Sequence, residues 1–131
     1  MKPLVLDTNV LIRFLERGGD YVETFSKFDR LLIPAAVEGE YRAGIDASTN
    51  SGVRRQKAFD ALLGSSAVEY VPVGHEVSAE YAQVFRRLQE RGTPIPQNDI
   101  WIAATARVRH APLCTLDDHF KNVEELELVS L

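Results

Sequence analysis

The chain has 131 residues, of which 45% are hydrophobic and 26% are charged, and these values fit one globular domain covering residues 1–131. Its apolar runs are too short to cross a bilayer and Cys114 is its only cysteine, which excludes a membrane span, an internal disulfide and a cysteine-based zinc site. The formal net charge of -4 argues against a generic polyanion binder, so we expect a cytoplasmic protein that holds any nucleic acid through a local patch or a metal ion.

Strand-like and helix-like segments alternate along the chain. Strands are predicted at residues 3–6, 31–33, 68–73, 112–115 and 126–131. Helices are predicted at residues 9–17, 21–30, 36–47, 53–64, 77–91 and 98–109, with glycines or prolines at most of their ends. Because such alternation is typical of a parallel sheet with helices on both faces, we expect a three-layer α/β/α fold with four or five strands.

Asp7 interrupts an apolar run in the motif LDTNVLI, at the end of the first predicted strand. In open α/β sheets, ligands bind beyond the carboxyl ends of the strands, where the chain turns into the next helix. A single Asp at such a turn is more commonly a helix cap than a ligand. Asp7 alone therefore does not establish a functional site.

Three further acids occupy comparable places. Asp117 follows the fourth predicted strand, Glu40 lies in the helix after the second strand, and Asp99 opens the helix NDIWIAATA, where the helix dipole favours its ionised form. Four carboxylates converging on one crevice would raise one another's pKa unless a cation lay between them. Because ligation by oxygen atoms suits Mg²⁺ or Mn²⁺, the pattern predicts a site for one of these ions.

Four segments taken in order carry a family resemblance: LDTNVLI, IPAAVEGEYRAGI, IPQNDIWIAATA and LCTLDDHF. They resemble the acidic motifs of PIN-domain nucleases, most closely the VapC-type toxins of type II bacterial toxin-antitoxin pairs. The resemblance implies a PIN-like fold in which four acids are catalytic and metal-binding: Asp7, Glu40, Asp99 and Asp117. It also implies that three polar residues support the site: Thr8, Asn9 and Thr115.

One residue departs from the family pattern. Glu38 stands where similar sequences usually have an apolar residue, so the segment after the second strand carries two candidate acids. The spacing to Gly44 favours Glu40 as the site residue.

The activity that the resemblance implies is Mg²⁺-dependent hydrolysis of RNA phosphodiesters, with Mn²⁺ as an alternative ion. Products with a 5′-phosphate and a 3′-hydroxyl are expected. Arg13 and Arg42 share helices with the candidate acids, and we expect them to hold the RNA backbone.

The resemblance also implies protein partners, namely a second copy of the chain and a cognate antitoxin. The antitoxin is expected in the groove between the helix after Pro34 and the helix after Ser51. Apolar side chains for protein contacts are available on the second of these helices, unless their helical spacing places them in the core: Val53, Phe59, Leu62 and Leu63.

Two other classes of function are compatible with the sequence. A phosphatase with Asp7 as nucleophile generally needs a second Asp two residues later, where Asn9 stands. A non-catalytic PIN-like binding module would use the acids as a structural or partner-binding cluster. His119 is predicted at the surface, close enough to Asp117 to lie in the second ligand shell, and Trp101 in the core or at a dimer interface.

Overall fold

The computed structural model describes residues 1–131 and contains one five-stranded sheet. The strands are β1 (Leu4–Leu6), β2 (Leu31–Pro34), β3 (Val68–Val71), β4 (Leu113–Cys114) and β5 (Leu128–Val129). All neighbouring strands pair in parallel, in the order β3-β2-β1-β4-β5. The predicted parallel sheet is confirmed.

Six helices connect the strands: α1 (Thr8–Glu16), α2 (Val22–Phe25), α3 (Ala35–Ala43), α4 (Asn50–Leu63), α5 (His75–Glu90) and α6 (Gln97–Val108). The connections to β2 and β3 run in one direction along the sheet, and the connection from β3 to β4 runs in the other. Right-handed crossovers therefore place α1 to α4 on one face and α5 and α6 on the opposite face, which gives the predicted three layers. None of these helices has the length and apolar composition needed to span a membrane.

The central strands are apolar throughout because helices cover both faces of the sheet. Leu4, Val5 and Leu6 of β1 are fully buried, and so are Leu32 and Ile33 of β2. Strands buried on both faces lack the alternation of apolar and polar residues that marks a strand with one wet face. The buried sheet fixes the strand ends, and the side chains just beyond those ends are held in place with it.

The segment predicted as a helix at residues 21–30 differs in the structure. Only Val22–Phe25 is α-helical, after a 3₁₀ turn at Gly18–Asp20. The Ser26 hydroxyl donates to the Glu23 carbonyl oxygen at 2.7 Å, and the Asp29 amide donates to the Lys2 carbonyl oxygen at 2.9 Å. These bonds turn the chain towards β2 instead of continuing the helix, and side-chain competition of this kind is why Ser disfavours helix interiors.

The helix after β2 is also shorter than the predicted range of 36–47. It ends at Ala43, and the chain turns through Asp46 before Thr49 caps α4 by accepting from the Gly52 amide at 2.9 Å. Gly52 is buried at this turn, and a Cβ there would clash with the Asp46 carbonyl oxygen. The turn therefore requires a glycine.

Candidate active site

Asp7 lies at the carboxyl end of β1 and is only 5% exposed. It is the N-cap of α1, where its Oδ1 accepts from the Thr8 amide at 2.8 Å. Its Oδ2 accepts from the Thr115 hydroxyl at 2.6 Å. The helix cap and the candidate ligand are therefore the same side chain, and α1 begins one residue earlier than predicted.

The ends of β1 and β4 are tied together beyond the sheet. The Thr115 hydroxyl, which donates to Asp7, accepts from the Asp117 amide at 3.0 Å. Asn9 Oδ1 accepts from the Leu116 amide at 3.3 Å. Because β1 and β4 are adjacent parallel strands, these bonds bring residues from both ends of the chain together at the carboxyl ends of the strands.

Glu40 on α3 joins the same group through Thr8, whose hydroxyl donates to Glu40 Oε1 at 2.9 Å. Glu38 has a different partner and accepts from Arg42 Nε at 2.9 Å. Arg42 also pairs with Asp60 on α4 at 3.1 Å. The geometry thus agrees with the choice of Glu40 over Glu38.

The remaining two acids meet at one histidine. His119 Nδ1 lies 3.1 Å from Asp99 Oδ2 and 3.0 Å from Asp117 Oδ1. Asp99 projects from the first turn of α6 and is 9% exposed. His119 therefore contacts both carboxylates directly. The sequence had suggested only a surface position near Asp117.

The carboxylates of Asp7, Glu40, Asp99 and Asp117, called the acidic cluster below, influence one another electrostatically. Burial raises the pKa of Asp7 above its ordinary value, hydrogen bonds from Thr115 and Thr8 oppose that rise, and the charges of Asp99 and Glu40 add to it. Burial likewise raises the pKa of Asp99, the hydrogen bond to His119 opposes this, and the charges of Asp117 and Glu40 add to it. Burial is the largest influence on the pKa of both buried acids.

The atoms available in the acidic cluster fit a hard divalent cation. Its four acids supply carboxylate oxygens, and one ligand atom each from Asp99, Asp117 and His119 lie within 4.8 Å of one another. Burial is the main cause of the raised pKa values of Asp7 and Asp99, and the neighbouring carboxylates add to it, so a cation among them would favour the ionised forms. The buried Cys114 thiol is absent from this arrangement, and burial together with Asp7 raises its pKa to about 11.

The two basic residues predicted to hold RNA occupy different surroundings. Arg13 is exposed on α1, one helical turn beyond Asn9. Arg42 is engaged by Glu38 and Asp60, and its guanidinium lies 4.9 Å from the centre of the Phe59 ring. Arg13 is therefore free of the ion pairs that engage Arg42.

A groove of about 260 Å³ leads along α1, α3 and α4 to Glu40, and we call it the Glu40 groove. Its lining combines apolar side chains with charged ones: Ile12, Leu15, Tyr41, Ile45, Arg54 and Arg55. Phe59 does not face it for contact because Phe59 is fully buried and stacks on Tyr41 at 4.8 Å. The expectation that Phe59 is free for protein contacts is therefore wrong, whereas Val53 is 42% exposed.

The sequence matches a known family. Residues 4–126 match the model of the PIN domain. The chain belongs to the PIN-domain family. The match confirms the family that the four sequence motifs of this PIN domain indicated.

Two curated relatives and one solved structure are similar to this PIN domain over most of its length. Ribonuclease VapC of Rickettsia bellii is 31% identical over 129 residues, which cover 98% of this chain and 96% of that protein. Ribonuclease VapC5 of Mycobacterium tuberculosis is 35% identical over 117 residues, covering 88% and 84% respectively. VapBC-5 of Mycobacterium tuberculosis, a member of the VapBC family of toxin-antitoxin systems, has a chain that is 27% identical, with a TM-score of 0.74 and coverage of 100% of both chains.

Proposed function

We propose that residues 1–131 form one PIN nuclease domain, an endoribonuclease that hydrolyses RNA phosphodiesters in the cytoplasm as the toxin of a type II toxin-antitoxin pair. The observation that carries the proposal is the acidic cluster at the carboxyl ends of β1 and β4, joined through Thr115 and Thr8. The similarity to ribonucleases named VapC over nearly the whole chain supports the same activity.

The chain's own residues hold the reacting groups in place. Thr8 and Thr115 fix both oxygens of Asp7, and Thr8 also fixes Glu40, so two carboxylates keep one orientation without substrate. Asp99 and Asp117 are oriented by His119. Carboxylates fixed in this way lose little conformational entropy when they bind a cation or orient a water.

The cofactor we propose is Mg²⁺, with Mn²⁺ as a substitute, held by Asp7, Glu40, Asp99 and Asp117. When bound, such an ion lowers the pKa of a water and offsets negative charge on the phosphodiester. Arg13 is the residue we propose to contact the RNA backbone, with Arg42 in a supporting role through its contacts with Glu38 and Asp60.

The test is RNA cleavage by Asp7→Asn and Asp99→Asn variants, with and without a chelator. We expect each variant to cut at least about 100-fold more slowly than the wild type, since even the loss of a group that only orients a metal ligand costs about 10- to 100-fold. Asp118→Asn is the matched control, because the Asp118 side chain is 89% exposed and pairs only with Lys121. Cleavage by Asp7→Asn at the wild-type rate would move the chemistry elsewhere, and metal-independent cleavage would remove the cofactor from the proposal.

A non-catalytic binding module is the alternative that the same experiment addresses. Such a module would bind RNA or a protein partner without cutting, and purified wild-type protein with Mg²⁺ or Mn²⁺ would leave RNA intact. The phosphatase alternative is disfavoured because Asn9 accepts from the Leu116 amide in the place where that class needs a second Asp.

The partner we propose is an antitoxin protein bound in the Glu40 groove. Apolar Ile12 and Leu15 suit the apolar face of a partner helix, and the groove leads to Glu40, where a partner cation would find the acidic cluster. The solved relative from a toxin-antitoxin system supports this assignment.

Co-expression with the product of the open reading frame immediately upstream tests this partner. We expect a stable complex that no longer cuts RNA. The Ile12→Gln variant should cut RNA at the wild-type rate but bind the partner at least about tenfold more weakly, because Ile12 is 40% exposed in the groove. An upstream product that neither binds nor inhibits would refute this partner.

A further inference from the structure

His119 has two separate attachments to the acidic cluster. Its backbone amide donates to Asp117 Oδ1 at 2.9 Å. This local turn fixes the position of the His119 backbone. Its ring Nδ1 lies 3.0 Å from Asp117 Oδ1 and 3.1 Å from Asp99 Oδ2. The ring is therefore aimed at the space between two candidate metal ligands.

Two of the separations among these three atoms, those from His119 Nδ1, match the spacing of neighbouring metal ligands. In an octahedral site with bonds of about 2.1 Å, adjacent donor atoms lie roughly 3.0 Å apart. Nδ1 has this separation from both carboxylate oxygens, and the three atoms lie within 4.8 Å of one another. The side chain of His119 is 50% exposed, so water or a phosphate oxygen can reach the remaining positions of such a site.

We propose that His119 ligates the divalent ion through Nδ1, together with Asp99 and Asp117, and that this nitrogen makes the site prefer Mn²⁺ to Mg²⁺. The proposal rests on the metal-dependent function proposed above, and it reverses the order of preference between the two ions given there. Both ions bind carboxylate oxygens, but Mn²⁺ is a first-row transition ion and accepts an imidazole nitrogen more readily than Mg²⁺, which is held by carboxylates, phosphates and water. A site built from carboxylates alone would lack this preference.

A ligand and a hydrogen-bond clamp make different demands on the ring. As a hydrogen-bond clamp, the ring donates its Nδ1–H to the carboxylate oxygens. A bound ion takes the lone pairs of those oxygens, so they are no longer free to accept this hydrogen bond. With an ion bound there, the imidazole can stay in the same place only if Nδ1 carries no proton and binds the ion itself. The turn at Asp117 holds the His119 backbone close to the acidic cluster. Ligation through Nδ1 therefore requires no movement of the ring.

Electron spin echo spectroscopy of bound Mn²⁺ tests the proposal directly. We expect modulation from a histidine nitrogen in the wild type, lost in His119→Gln and retained in His75→Gln, a matched control at an exposed histidine at the start of α5. By calorimetry, His119→Gln should weaken Mn²⁺ binding on the order of tenfold and Mg²⁺ binding by less than about threefold. A wild-type spectrum without nitrogen modulation would refute ligation independently of how any variant folds, and the two variants assign an observed modulation to His119.

Two results would overturn the inference, and they differ in what they leave standing. Mn²⁺ that binds and is lost in Asp99→Asn, but shows no nitrogen modulation in the wild type, would refute ligation by His119 while leaving the metal-dependent nuclease intact. Equal losses of Mn²⁺ and Mg²⁺ affinity in His119→Gln would refute the preference. Absence of any Mn²⁺ or Mg²⁺ binding to the wild type would refute both the inference and the proposed cofactor.

Discussion

Asp7 combines a structural and an electrostatic role in one side chain. As the N-cap of α1 it accepts the hydrogen bond that a helix start needs, and as a nearly buried carboxylate it is destabilised by desolvation and by neighbouring acids. Thr115 and Thr8 offset part of this cost by donating to its two oxygens. In the absence of metal, the ionised form of Asp7 therefore opposes folding.

The pH dependence of stability follows from this. The pKa values of Asp7 and Asp99 are raised in the folded chain, so the native state holds more protons than the unfolded state above about pH 4. The stabilisation from their protonated forms is complete at lower pH and is lost as pH rises through the raised pKa values. We expect the free energy of unfolding of Asp7→Asn, relative to wild type, to increase over that range.

Urea unfolding in a chelator between pH 4 and pH 8 measures this difference. A difference that stays constant with pH would show that the Asp7 carboxyl titrates alike in the folded and unfolded chain. Added Mg²⁺ or Mn²⁺ should reduce the difference, since the ion stabilises the ionised form that the variant lacks.

Some site residues could be identified from sequence because their environment is set locally. Asp7 and Asp117 follow short apolar strands, and Asp99 opens a helix, so the strand and helix pattern places them. The contact of His119 with Asp99 could not be read in this way, since it joins the start of α6 to a turn twenty residues later. Its one available signal was its position two residues after Asp117.

At the scale of elements, the connection from α3 to α4 is the most demanding turn in this half of the chain. Thr49 caps α4, Asp46 Oδ1 accepts from the Ser48 amide at 3.0 Å, and buried Gly52 allows the Asp46 carbonyl to approach the helix. α4 forms one side of the Glu40 groove. A change in this turn should therefore shift the groove as well as the stability.

Two glycine substitutions separate this close approach from ordinary helix propensity. We expect Gly52→Ala to destabilise the chain by about 2 kcal/mol or more, because the added Cβ would clash with backbone atoms of Asp46. Gly39→Ala, where no atom lies within 4 Å of the new Cβ, should stabilise by up to about 1 kcal/mol through helix propensity. Urea midpoints measure both, and equal effects of the two substitutions would contradict the close approach.

Element boundaries were less predictable than element types. The short strands β4 and β5 and the long helix α5 follow the apolar pattern of the sequence. The segment at residues 21–30 has helical spacing, but Tyr21 and Phe25 pack their rings near Phe14 of α1 and the chain then turns towards β2. Tertiary packing of this kind overrides local propensity.

At the scale of the whole molecule, the net charge of -4 conflicts with binding a polyanion. The proposed site adds negative charge where an RNA phosphate would approach, so on that proposal a bound ion and cations such as Arg13 offset it. Two copies of the chain would offer two sets of such cations to one RNA. This charge argument supports the predicted homodimer.

Light scattering on the isolated protein tests the dimer. We expect a mass twice the 14.7 kDa of one chain, and Val53→Asp should shift it towards the monomer because Val53 is exposed on α4. Val22→Asp is the control, since Val22 is 60% exposed on α2, a different helix. A monomer at every concentration would refute the dimer, and an equal response to both substitutions would place the interface elsewhere.

The hydrogen bond between Thr115 and Asp7 joins residues 108 positions apart. Asp99, Asp117 and His119 also belong to the last third of the chain, so no early portion of the polypeptide contains the complete acidic cluster. Synthesis proceeds from the N-terminus, and pairing between distant segments comes late. On the proposed assignment of the active site, we expect a nascent chain to gain its nuclease activity only after β4 has left the ribosome and paired with β1.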